Sequence, residues 1–97
     1  DGKSFQRMRE EVMRLIEQEH PQMVLEVEPP HSNDAIRRIR FYEGLGFKAY
    51  PFPYLQPPYL AGGTPLSMLL MQKGMPVEEH AFTKINSEIY LEVYGCL

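Results

Sequence analysis

Few side chains in this 97-residue chain could do chemistry, and they are scattered. Tyr42 stands in the run Asn33-Asp-Ala-Ile-Arg-Arg-Ile-Arg-Phe-Tyr-Glu-Gly-Leu-Gly-Phe47, on one helical stripe with Ile36, Ile39 and Leu45. A phenol, with its ordinary pKa of about 10, stays protonated at neutral pH and can donate as negative charge develops beside it. On an apolar face its hydroxyl needs a partner or a task. Gly2-Lys3-Ser4 opens a second helical pattern with Ser4 as the expected N-cap, and a helix start favours an anion through its unpaired N–H groups and dipole. Taken alone, that triplet reads first as an ordinary capped helix start, second as an anion site. Glu28 closes a strand-like run before Pro29 and Pro30, and reads first as a solvated carboxylate, second as one facing a substrate. Arg37, Arg38 and Arg40 read first as a face paired with carboxylates, second as a contact for an acidic ligand. His20, His31 and His80 share no ligand spacing, so no metal site is expected. Cys96 has no base beside it, which leaves nucleophilic catalysis without support.

The elements that must position these groups follow from periodicity and breakers. Phe5, Met8, Val12, Leu15 and Ile16 form one helical stripe, ended by Pro21. Met23–Val27 is a nearly continuous apolar run, the pattern of a parallel-type strand covered on both faces. Ser32, Asn33 and Asp34 can each cap the central helix, a contribution of about 1 kcal/mol. Gly46 can stop that helix in the left-handed conformation, with Phe47 folding back on its last turn. Residues 47–55 read as a strand, confined to an edge or a bulge by Pro51 and Pro53. A Pro- and Gly-rich loop over 56–65 leads to a strand at 66–72, which should form a hairpin with it and lie between the other two strands. Tyr50, Phe52, Tyr54 and Tyr59 are candidates to line a pocket, although packing is the commoner fate of aromatic residues on a small sheet. From about Pro76, Val77, Ala81, Ile85, Ile89 and Val93 make a four-residue rhythm beside Tyr90 and Tyr94, with Gly95 as the stop.

These elements give one small α/β domain over residues 1–97, with 43% apolar residues and no apolar run of the ~18–20 residues that span a bilayer. No membrane partner is expected, and the net charge of −3 argues against general nucleic-acid binding. A single cysteine allows no intrachain disulfide, and a reducing cytoplasm is the simplest setting. Neither a signal peptide nor an initiator methionine is present, which suggests processing, a cleaved tag or a fragment.

Val24-Leu-Glu-Val-Glu-Pro29, followed by a capped helix ending in Phe41-Tyr-Glu-Gly-Leu-Gly-Phe47, resembles the second half of the GNAT superfamily of N-acetyltransferases. The resemblance implies the C-terminal half of that acyl-CoA N-acyltransferase fold: a three-stranded mixed sheet with flanking helices and a C-terminal helix. It implies transfer of an acetyl group from acetyl-CoA to a primary amine, with Tyr42 as the general acid at the CoA sulfur. The family's cofactor loop, Gln/Arg-x-x-Gly-x-Gly/Ala, is matched by Gly2 and Ser4 around Lys3, so these three residues are expected to hold the pyrophosphate. Asn33 is the candidate for the family's CoA-contacting asparagine. It stands nine residues before Tyr42 instead of the usual seven or so, which puts Ala35 in that position and leaves Asn33 a helix cap. The general base is expected upstream of Asp1, so the fragment alone should be inactive. The Met23–Val27 strand would then show a free edge, inviting a homodimer or pairing with the missing half. The alternative is a non-catalytic α/β module for binding or self-association.

Overall fold

Seven elements follow one another in the computed structural model: α1 (Gly2–Glu19), β1 (Met23–Val27), α2 (Asn33–Gly44), β2 (Lys48–Ala49), β3 (Tyr54–Gln56), β4 (Leu66–Lys73) and α3 (Glu79–Glu92). The structure describes residues 2–58 and 62–95, so Tyr59 and Cys96 lie outside the described residues. Among them, no helix is long and apolar enough to cross a membrane.

β4 is the middle of the sheet, as the prolines of its neighbour require. β1 pairs with it on one side, from Met23↔Lys73 to Val27↔Leu69. On the other side Lys48↔Gln72 and Ala49↔Met71 join β2, and Tyr54↔Met68 to Gln56↔Leu66 join β3. Pro51 and Pro53 cannot donate to a ladder, and the segment between β2 and β3 leaves the sheet at those residues. One expected strand therefore becomes two. The expected three-stranded mixed sheet is corrected to a four-stranded sheet in which every pair is antiparallel. The apolar run of β1 records that both its faces are covered, and burial does not encode strand direction.

α2 starts and stops by local chemistry. The Ser32 hydroxyl accepts the Ala35 N–H at 3.1 Å, Gly46 takes φ +96°, and the Phe47 N–H donates to the Tyr42 carbonyl at 3.0 Å. α3 starts at Glu79, later than Pro76, and Val77 and Val93 lie outside it and exposed. α1 already runs through Gly2, which places Ser4 inside its first turn and corrects the expectation that Ser4 is the N-cap.

The side chains sort onto the two faces of the sheet. Toward α3, Tyr50, Tyr54 and Leu70 pack with Phe82 and Ile85, and Val24 joins them from β1. Toward α2, Val27, Phe47 and Met71 pack with Leu25, Ile39 and Tyr42, and Met13 reaches in from α1. The apolar stripe of α1 takes no part: Phe5, Met8, Val12, Leu15 and Ile16 are 39–56% exposed. α1 instead meets the body along Arg9, Met13 and Glu17. The Arg9 guanidinium lies over the rings of Phe5 and Phe41, at 5.0 and 5.1 Å from their centroids. Glu17 pairs with Lys73, whose ammonium also donates to the Leu45 carbonyl.

Candidate active site

Tyr42 lies in the last turn of α2, half-buried against the cluster of Val27, Phe47 and Met71. Its ring is held edge-on by Phe41 on one side and Phe47 on the other, with centroids at 5.5 and 5.8 Å. The Schellman-like turn at Gly46 is what returns Phe47 to this position, so the sequence Tyr-Glu-Gly-Leu-Gly-Phe builds its own clamp. Among the described residues the Tyr42 hydroxyl has no hydrogen-bond partner. A phenol placed only to satisfy the core would have one. The clamp fixes the ring and leaves the O–H to donate elsewhere.

Gly2, Lys3 and Ser4 form the exposed first turn of the 18-residue helix α1. Nothing lies within 4 Å of the place a Gly2 Cβ would occupy, so the backbone there is open to approach. A helix start favours an anion through its dipole, and Lys3 adds a positive charge to the exposed first turn. Asn33 is the first residue of α2, exposed, and displaced from the cap by Ser32. Nine residues of helix separate it from Tyr42, about 13 Å along the axis, so the two do not form one contact set. The two helices that carry all five candidates meet where Arg9 stacks on Phe41.

Glu28 is exposed at the end of β1, with Arg38 at 4.0 Å, and Arg37 pairs with Asp34 at 2.7 Å. The paired-face reading of the arginine run therefore holds for two of its three members. A cavity of about 510 Å³ opens beside Glu28, lined also by His31, Ser32, Gln56 and Ser67. Among the described residues no cluster of His, Cys, Asp and Glu is placed to hold a metal ion.

Sequence reasoning passed over Glu26. Its carboxylate accepts the Tyr54 hydroxyl at 2.9 Å, the Tyr94 hydroxyl at 2.8 Å and the Gln56 amide at 3.2 Å. The Tyr90 hydroxyl donates to the Leu55 carbonyl alongside. Burial, and then the hydrogen bond to Glu26, push the Tyr54 phenol well above its ordinary pKa, so it remains a donor. A carboxylate inside a five-residue apolar strand was the available signal, because such a group must find donors. Tyr50 and Tyr54 thus serve packing and this network: both are 1% exposed, and Tyr50 donates to the Pro76 carbonyl.

No family model matches the sequence, and no curated protein matches it. Among solved structures, the chain is similar to a Bacteroides thetaiotaomicron protein assigned to the GNAT family of acetyltransferases. The two are 34% identical, with a TM-score of 0.81 over 100% of this chain and 53% of that one. This chain therefore spans about half the length of that relative.

Proposed function

We propose that this chain, whose fold is that of the GNAT acetyltransferases, is the part of an N-acetyltransferase that holds acetyl-CoA and protonates its sulfur as the acetyl group passes to a primary amine. The carrying observation is the Tyr42 hydroxyl, fixed by two flanking rings and left without a partner among the described residues, on a fold shared with a GNAT-family protein. Acetyl-CoA supplies an activated thioester. The α1 start supplies backbone N–H groups and Lys3 for its phosphates, with Asn33 placed on the neighbouring helix. The Tyr42 Oη gives its proton where the C–S bond breaks and thiolate charge develops. The amine forms the C–N bond and loses its own proton to a base that the described residues do not identify. General acid help of this kind contributes ~10²–10⁴ in rate.

Two measurements test the reading. Calorimetric titration of the chain with acetyl-CoA should show binding that Lys3→Ala weakens and Tyr42→Phe leaves unchanged. With the complementary half of the fold restored, Tyr42→Phe should lower turnover ~10-fold or more at constant acetyl-CoA affinity. Unchanged turnover with a lowered melting point would return Tyr42 to a packing role. A chain that binds no acetyl-CoA is the self-association module instead, a reading the exposed α1 stripe favours.

A further inference from the structure

Strand alternation sets Val24, Gln72 and Lys48 side by side on the α3 face of the sheet. Two residues along, Leu70 and Tyr50 pack toward α3, while Met71 and Ala49 between them pack toward α2. Gly74 then turns the chain back over this row. It takes φ +86°, and a Cβ there would stand 2.0 Å from the Pro21 carbonyl oxygen, so the turn admits glycine alone. The returning strap is pinned twice. The Met75 N–H donates to Gln72 Oε1 at 2.9 Å, and the Tyr50 hydroxyl donates to the Pro76 carbonyl at 3.1 Å.

A backbone N–H can bond only to the oxygen of a carboxamide, so the Met75 contact fixes which way the Gln72 amide lies. Its NH₂ group has no protein partner among the described residues, although Gln72 is only 2% exposed. Arg9 Nε and Asn86 Oδ1 are the described polar side-chain atoms sealed without a partner, and the Gln72 nitrogen is not one of them. It opens instead into a cavity of about 640 Å³, which Gln72 lines with Lys48, Met75, Pro76 and Val77. Exposed Lys48, directly across the ladder, likewise has no ion-pair or hydrogen-bond partner among the described residues.

We propose that this cavity binds a short aliphatic monocarboxylate, with one oxygen on the Lys48 ammonium and the other on the Gln72 NH₂. Both polar groups donate, and among the described residues no carboxylate lines the cavity. A single positive charge suits a monoanion better than a phosphate dianion. Met75, Pro76 and Val77 supply the apolar wall for an alkyl chain. Tyr42 packs on the other face of the sheet, so this site stands or falls apart from the transfer chemistry.

The probe is butyrate, titrated into the nitrogen-labelled chain while the side-chain NH₂ resonance of Gln72 is followed, with acetate and inorganic phosphate as comparisons. A saturable shift is expected, with acetate binding more weakly and phosphate not competing. Lys48→Met keeps the apolar stem and removes the charge at an exposed position, so it should weaken butyrate about tenfold or more with circular dichroism unchanged. Gln72→Glu keeps an oxygen for the Met75 N–H but sets a like charge against the ligand, and should abolish binding. If Gln72→Glu does not fold, Lys48→Met decides alone. The proposal is overturned by a Gln72 signal that does not move or never saturates, by binding indifferent to Lys48→Met, or by acetate or phosphate competing as well as butyrate.

Discussion

On one face of the sheet α3 gives up Phe82 and Ile85 to the core, while on the other α1, with the more regular apolar stripe, buries none of its residues. The stripe of α3 is mixed with Lys84, Ser87 and Glu88, yet Phe82 sits against the rings of Tyr50 and Phe52 at 5.4 and 5.3 Å. α1 touches the body through a cation over the Phe41 ring, one methionine and one ion pair. A helical period reveals that an element has a side to bury. Whether the same chain carries the surface that buries it is a separate matter, decided by topology. α3 follows a completed hairpin and closes over it, whereas α1 precedes β1, an edge strand paired with β4 alone among the described residues.

Substitutions can break this comparison directly. Phe82→Ala empties a buried ring site and should cost about 3–5 kcal/mol, most of the stability of a domain this small. Val12→Ala on α1 should stay within ~0.5 kcal/mol in the same urea titration. A loss above ~2 kcal/mol at Val12 would show that the α1 stripe is packed in solution and that the two faces are alike.

How far each region was legible follows the range of the interactions that set it. Gly46 and Phe47 act within a few residues of α2, and their types alone indicated the stop and the return, whereas the choice of Ser32 over Asn33 and Asp34 as the cap and the ring contact on Tyr42 came from the structure. Pro51 and Pro53 excluded their segment from the centre of the sheet, so the place of β4 was legible too. The four-residue rhythm chosen for α3 named Ala81, Ile85 and Ile89 and omitted Phe82, although residues three apart share a helical face as well as those four apart. Ser4 looked like a cap because its residue type suits one, but the helix already includes Gly2. The Glu26 network was out of reach for another reason. Its donors stand 28, 30 and 68 residues away in sequence, and no local pattern joins them.

That network locks the α3 face through one carboxylate with three donors, where α1 is tied by the Glu17–Lys73 pair, and it can be opened without touching the apolar core. Glu26→Gln keeps the shape but replaces one acceptor oxygen with an NH₂ group, so Tyr54, Tyr94 and Gln56 can no longer all be satisfied. The expected loss is about 1–3 kcal/mol in urea unfolding, with faster hydrogen exchange at the C-terminal end of α3. An unchanged midpoint would mean that water replaces the carboxylate freely and that apolar packing alone holds α3.

The effect that sharpens the comparison most is alkaline. Burial first, then the hydrogen bond and charge of Glu26, raise the Tyr54 phenol above its ordinary value of about 10, and burial raises Tyr50 as well. As pH climbs past about 10, these phenols give up their protons in the unfolded chain before they do in the folded one. Their stabilising contribution is therefore complete below that pH and is lost above it, at no more than ~1.4 kcal/mol per pH unit for each phenol. Melting the protein between pH 9 and 11 should show the decline. Tyr54→Phe should lower stability at neutral pH by about 1 kcal/mol through the lost hydrogen bond, and should flatten the alkaline slope to the share left by Tyr50. If Tyr54→Phe melts with the full alkaline slope, water already reaches the Tyr54 hydroxyl, and the α3 face is no more closed than the α1 face.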